Sequence, residues 1–193
     1  IYTGKSRKMS YRFYAIETLG YLTGVDERWY ADLLIDCNRA MAAFANEHGM
    51  FDGAYGPRLK ESYQDIIDLI GRDPNTRQAV ASIWSPGIPQ SKDVPCTVMM
   101  HFMHQPEGFL DMYVYMRSND INWGTPYDIA AFCSIQRTIA AHCGMAPGAY
   151  VHMAGSLHFY DQPSDVKSGP RRPTVLPFDE EEWTTGECMY LFR

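Results

Sequence analysis

Cys96 and Arg117 are the two residues whose types and spacing most directly suggest chemistry. Pro95 removes a backbone donor and tends to put its neighbour at a strand start or edge, so Cys96 should begin the alternating run Val98, Met100, Phe102 as an accessible thiol. Gln105-Pro106-Glu107-Gly108 signals a turn, and Phe109 to Met116 returns antiparallel. In a hairpin the first residue of one strand lies beside the last of its partner, which predicts Arg117 close to Cys96. A guanidinium there favours thiolate over thiol and is expected to lower the thiol below its ordinary pKa of about 8.5. An activated sulfur beside a cation, followed by a polar loop that feeds a helix, is the layout of a covalent enzyme site.

Other residues allow two readings each. Glu17 sits in an otherwise apolar helical stretch, either as a solvent-facing carboxylate or as a partly buried one with a raised pKa that shuttles protons. His158 and Tyr160 are two apart and therefore share a strand face, which suits two hydrogen bonds to one sugar and equally a cross-strand polar pair. Arg77 alone reads as a surface charge. His101 and His104 fall on opposite faces of their strand, so a shared metal is not expected.

Pro95-Cys96, a strand pair, then Arg117-Ser118-Asn119-Asp120-Ile121-Asn122-Trp123-Gly124-Thr125-Pro126-Tyr127-Asp128 resembles the thymidylate synthase superfamily. Its members carry a Pro-Cys nucleophile followed by Arg-Ser-x-Asp-x-x-x-Gly-x-Pro-Phe/Tyr-Asn/Asp, and the internal spacing is kept without a gap. Glu17 to Gly24 is similar to the family's Glu helix, Ala54-Tyr55-Gly56 to its Tyr-Gly turn, Asp73 to Arg77 to its phosphate-arginine loop, and Gly155 to Tyr160 to its Gly-Asp-x-His-x-Tyr strand. The resemblance implies an α+β fold, with a mixed or antiparallel sheet packed with helices and serving as a homodimer interface. It implies Cys96 as nucleophile, Glu17 and Asp128 as further catalytic groups, and 5,10-methylenetetrahydrofolate as co-substrate. Arg117 and Ser118 match phosphate-binding positions, with Arg77 arriving from a partner chain; His158 and Tyr160 match sugar contacts, and Asp120, Gly124 and Tyr55 the folate side. Departures are Gln78 for a second arginine, Thr97 for a histidine and Ser156 for an aspartate.

Asp128 bears on the substrate. Thymidylate synthases have asparagine here, whose amide both donates and accepts, whereas an ionised aspartate only accepts and suits the N4 amino group of cytosine. Protonation of the carboxylate or of N3 supplies a second hydrogen bond. The branch with aspartate is the cytidylate and deoxycytidylate 5-hydroxymethyltransferases, so CMP or dCMP is the expected substrate; an antibiotic pathway would use CMP and phage DNA modification dCMP. The alternatives are a thymidylate synthase or uracil-nucleotide hydroxymethylase that tolerates Asp128, and a nucleotide-binding relative that does not catalyse. Ungapped spacing back from Tyr55 puts Met41 where thymidylate synthases keep a tryptophan. Losing that ring would admit water to the C5 methylene, ordered by Glu17, and give hydroxymethyl in place of methyl.

Around these residues the periodicity predicts a helix capped by Ser10 and ending near Gly24, and another from Glu27 to about His48. A shorter helix over Glu61 to Ile70, a strand over Arg77 to Trp84, a helix from Pro126 to Cys143 and a strand from Tyr150 to Tyr160 follow. Asp161 to Pro177 reads as a mobile surface loop and Cys188 to Phe192 as a closing strand. With 193 residues and 46% hydrophobic content, residues 1–193 are expected to form a single domain. The start at Ile1 suggests that an N-terminal segment with a further phosphate-binding arginine is missing. A net charge of −6 argues against general nucleic-acid binding. Neither a membrane span nor a signal peptide is visible, and five scattered cysteines indicate neither a disulfide framework nor a zinc site, which fits the cytoplasm.

Overall fold

The computed structural model describes residues 9–86 and 91–159, with the backbone of 174–175. Helices α1 (Tyr11–Thr23) and α2 (Arg28–Cys37), a 3-10 turn (Arg39–Ala43) and α3 (Tyr55–Arg72) come first. Then follow β1 (Val80–Ser82), β2 (Thr97–Gln105), β3 (Phe109–Met116), β4 (Asn119–Asp120), α4 (Thr125–His142), β5 (Ala146–Ala154), β6 (Leu157–Phe159) and β7 (Thr174–Val175). This is the α+β architecture expected, around a mixed sheet. Its order is β1-β2-β3-β5, antiparallel except for β3 and β5, which run parallel because α4 crosses over between them. A smaller sheet, β4-β6-β7, stands beside it.

Period-2 alternation sets the inward face. Leu110, Met112, Val114 and Met116 of β3 join Met100 and Phe102 of β2 in the core, packed against Leu59, Ile66 and Ile70 of α3 and Phe132, Ile135 and Ile139 of α4. Burying one such side chain is worth roughly 1.5–3 kcal/mol relative to exposure, so this layer is the main source of stability. The opposite face of the sheet is also apolar, with Val80, Tyr115 and Met153 exposed. A second cluster joins Phe13 of α1, Tyr30 and Leu34 of α2, and Tyr127 of α4. Tyr127 fastens α4 to the start of α1: its hydroxyl accepts from the Ser10 N–H at 2.8 Å, and its ring meets Phe13 edge-on.

α1 forms as expected, with the Ser10 side chain accepting from the Phe13 N–H and Gly24 closing the helix at φ 68°. Several boundaries differ from the sequence reading. The helix expected from Glu27 to His48 ends at Cys37, because Asn38 turns extended and its side chain accepts from the Ala40 N–H, starting a separate 3-10 turn. α3 begins at Tyr55 and not Glu61: Pro57 falls in its first turn, where no N–H is needed. β1 is shorter than the Arg77–Trp84 strand, though Ala79, Ala81 and Ile83 do share a buried face. An irregularity between Thr97 and Met99 turns Thr97 inward and leaves Val98 half-buried, so the alternation begins at Met100. The single strand expected from Tyr150 onward is two strands in two sheets, broken at Gly155-Ser156. Thr174–Val175, expected within a loop, pairs antiparallel with β6. Tyr160 and the expected Cys188–Phe192 strand lie outside the described residues.

α1 and α3 cross at two glycines. A Cβ at Gly56 would lie 2.3 Å from the Gly20 carbonyl oxygen, and one at Gly20 would strike the Tyr30 ring. The Gly56 obstacle is backbone and cannot rotate away. Gly56→Ala is therefore expected to lower stability by about 1–3 kcal/mol, read as a fall in urea midpoint. An unchanged midpoint would contradict the tight crossing.

Candidate active site

The β2–β3 ladder sets the place of Cys96. Thr97 pairs with Met116, and just beyond this pair the Arg117 N–H donates to the Cys96 carbonyl at 2.8 Å. The expected neighbourhood of Arg117 and Cys96 is present. The Arg117 guanidinium donates to Pro95 O at 2.9 Å and Val94 O at 3.0 Å, and its Nη2 lies 3.9 Å from Cys96 Sγ. It also sits 5.8 Å from the centre of the Trp84 ring. Behind the cysteine, the Tyr55 hydroxyl accepts from the N–H groups of Cys96 at 3.2 Å and Thr97 at 3.1 Å. The Tyr55 ring is stacked on Tyr21 and on Phe132. Tyr55, expected on the folate side, thus braces the backbone of Cys96 and Thr97 from α3.

The pKa expectation for the thiol is overturned. Burial pushes Cys96 above its ordinary value, and Arg117 opposes that only in part, while Asp128 and Asp93 add to the rise. Burial thus favours the thiol over the thiolate, with Arg117 acting the other way.

Two carboxylates share the interior beside it. Glu17 on α1 is half-buried, with Oε2 fully buried and unpartnered among the described residues. Burial and the nearby Asp128 charge raise it to about 8, against a hydrogen bond from Tyr21. Of the two readings of Glu17, the partly buried one is found. Asp128, in the first turn of α4, is buried and raised to about 7, first by desolvation and then by Asp120, with Asn119 acting the other way. Asn119 Nδ2 donates to Asp128 Oδ2 at 2.7 Å. On its other side, Asn119 Oδ1 is 3.1 Å from His152 Nε2, and His152 Nδ1 is 2.6 Å from the Tyr150 hydroxyl. Thr125 Oγ1 also contacts Asn119 Oδ1. The sequence reading missed Asn119, Thr125, Tyr150, His152 and Tyr21. For Tyr150 and His152 the available signal was their i, i+2 spacing on the inward face of β5.

The remaining expected residues are distributed around this centre. Asp120 Oδ1 caps a turn by accepting from the N–H groups of Asn122 at 2.7 Å and Trp123 at 2.6 Å, and its Oδ2 is buried without a partner among the described residues. Gly124 opens α4; a Cβ there would lie 3.2 Å from Asp128 Oδ2. Ser118 is half-buried between Arg117 and β4. His158 is buried on β6, which pairs with β4 so that His158 faces Asp120 in register. Met41 is half-buried against the second apolar cluster. Arg77 is not brought to this group: Val80 pairs with His101, so Arg77 lies exposed at the end of β2 away from Cys96. Among the described residues no three His, Cys, Asp or Glu side chains form a metal-binding cluster, and no helix is long and apolar enough to cross a membrane.

The family model described as thymidylate synthase matches residues 4–172. The chain belongs to the thymidylate synthase family. It is similar to a deoxyuridylate hydroxymethyltransferase of Bacillus phage SP01, 32% identical over 176 residues covering 81% of this chain and 45% of the relative. It is also similar to a thymidylate synthase of Listeria monocytogenes serotype 4a, 32% identical over 130 residues covering 62% of this chain and 41% of the relative. The chain thus spans less than half the length of these curated relatives. Two solved structures share the thymidylate synthase fold at 22% identity. Thermostable thymidylate synthase A from Bacillus subtilis has a TM-score of 0.68, covering 80% of this chain and 59% of that one. The T4 phage enzyme has a TM-score of 0.65, covering 86% and 66%.

Glu17 gives this thymidylate synthase-family chain a testable pH signature. Its folded pKa of about 8 exceeds the ordinary 4.5, so the native state holds a proton that the unfolded chain releases between those values. Stability from this group is therefore lost as pH rises through that window. Glu17→Gln should gain about 1–3 kcal/mol over wild type at pH 8 and much less at pH 5, allowing for partial solvent screening. Urea unfolding at both pH values checks this, and equal gains would contradict it.

Proposed function

We propose that the protein is a pyrimidine-nucleotide C5 hydroxymethyltransferase that acts on CMP or dCMP with 5,10-methylenetetrahydrofolate and water. The observation that carries this reading is Asp128, buried at the family's base-reading position with Oδ2 already accepting from Asn119. An ionised carboxylate offers only acceptors, which suits the N4 amino group of cytosine and opposes O4 of uracil. A site left with a buried unpaired partner can reject the wrong base by about 10⁴-fold.

In this reading Cys96 Sγ adds to C6 of the pyrimidine, which makes C5 nucleophilic. Arg117 lies close enough to stabilise the sulfur as a thiolate. The folate supplies a one-carbon electrophile at the formaldehyde level. Asp120 and Gly124 would hold it, and the buried, unpartnered Asp120 Oδ2 fits an N–H donor there. C5 bonds to the folate's methylene carbon and gives up its proton, and tetrahydrofolate leaves as its nitrogen–methylene bond breaks. Glu17 moves protons and orders the water that adds to the resulting C5 methylene, after which Cys96 leaves C6. Arg117 and Ser118 bind the phosphate, and His158 and Tyr160 the sugar. A homodimer is supported by the apolar outer sheet face and by Arg77, whose place at the far end of β2 suits a partner's site better than its own. A cytoplasmic setting fits a nucleotide and a folate as substrates.

The name of the phage SP01 relative favours a second reading in which the base is uracil and the product still carries hydroxymethyl. Tritium release from C5-labelled CMP, dCMP, UMP and dUMP, with folate and formaldehyde, separates the two. Cytosine nucleotides are expected to turn over, Cys96→Ser to abolish release, and Asp128→Asn to lower cytosine turnover by about 10²–10⁴-fold while raising uracil turnover. Release from uracil nucleotides alone would end the cytosine reading, and binding without any release would leave only a non-catalytic relative.

A further inference from the structure

Asn119, His152 and Tyr150 form a chain of hydrogen bonds ending on Asp128 whose polarity is fixed by its own members. Burial lowers the His152 pKa and keeps the ring neutral, so one nitrogen donates and the other accepts. Asn119 Oδ1 is an acceptor, so His152 Nε2 carries the proton and donates to it. His152 Nδ1 must then accept from the Tyr150 hydroxyl. Asn119, with its oxygen turned to His152 and Thr125, presents its amide N–H to Asp128 Oδ2. The reverse flip of the amide would set its oxygen against a carboxylate oxygen. Donation therefore runs one way, from Tyr150 through His152 and Asn119 to Asp128.

The four members are held from three elements. Tyr150 and His152 project inward from β5, Asn119 begins β4, and Asp128 lies in the first turn of α4. Asn119 and Asp128 are both buried, so a lost partner would not be replaced cheaply by water. Gly124 leaves just enough room for Oδ2 in this place. In the cytosine reading, the remaining oxygen, Oδ1, is the one left for a base.

We infer that Asn119 and His152 are positioning residues for base specificity: they hold the Asp128 carboxyl in one orientation and favour its ionised, acceptor-only form. This deepens the cytosine reading above and rests on it. The groups that bear on Asp128 are Asp120 in the preceding loop, Glu17 and Tyr21 on α1, Tyr55 on α3, Cys96 at the head of β2 and Tyr150 on β5. Burial and the Asp120 carboxylate oppose its ionisation, and Asn119 supports it.

The test is C5 tritium release from cytosine and uracil nucleotides across pH 5.5–9 in wild type, Asn119→Leu, His152→Leu, His152→Gln and Tyr150→Phe. In wild type the cytosine preference should strengthen as pH rises through about 7, when Asp128 loses the proton it could donate to O4. Asn119→Leu and His152→Leu remove support for the charge, so the transition should move to higher pH and the cytosine-to-uracil ratio at pH 7.5 should fall about tenfold or more. His152→Gln retains an N–H donor and should restore most of the ratio, and Tyr150→Phe should give a smaller shift in the same direction. Infrared difference spectra of the protonated carboxyl, assigned by subtraction of Asp128→Asn, report the same transition without turnover and extend the test to variants of low activity. A wild type that prefers uracil would overturn the cytosine reading alone. Variants that keep the wild-type transition would overturn the positioning role whichever base is preferred.

Discussion

Holding two carboxylates and a thiol out of water, close enough for their charges to matter, is the constraint on which the rest of the structure depends. Burial alone moves Glu17, Asp128 and Cys96 toward their uncharged forms. Burial therefore works against charge at this site, and each charge that forms needs a partner already in place. Arg117 is in place for sulfur, Asn119 for Asp128 and Tyr21 for Glu17. Such an arrangement costs stability, and the apolar layer between the sheet and α3 and α4 offsets it.

Backbone pairing accounts for how these groups meet. β2 and β3 are joined by a tight hairpin, so their open ends put Arg117 on Cys96 without any long-range search. β3 continues at once into Ser118 and β4, and the Asp120 turn feeds α4, so Arg117, Asn119, Asp120 and Asp128 are carried on one continuous path. α1 is then fastened across it by Tyr127 and Ser10, which brings Glu17 in. The two-glycine crossing with α3 sets Tyr55 behind Cys96.

What could be read from the sequence was what depends on neighbours along the chain. The Ser10 cap, the Gly24 stop, the hairpin and the closeness of Arg117 to Cys96 all follow from local pattern. Boundaries went astray where a side chain competes with the backbone, as Asn38 does, or where a strand slips by a residue, as at Thr97. The direction of the Cys96 shift was not legible because it is a contest between a visible cation and an invisible degree of burial. Asn119 and His152 were missed for a related reason: 33 positions apart, they meet only once β3 and β5 run parallel. The aspartate at 128 was conspicuous, while the residues that govern its charge were not.

The central claim is that Cys96 bonds to C6 of a cytosine ring so that C5 can take up one carbon. Fluorine at C5 cannot leave as a cation, so a 5-fluorocytosine nucleotide with methylenetetrahydrofolate should arrest the reaction with the sulfur still attached. Intact mass followed by peptide mapping is the direct measurement. The account predicts a covalent adduct of nucleotide and folate on Cys96. An unmodified chain, an adduct formed by the uracil analogue alone, or an adduct on another cysteine would contradict it.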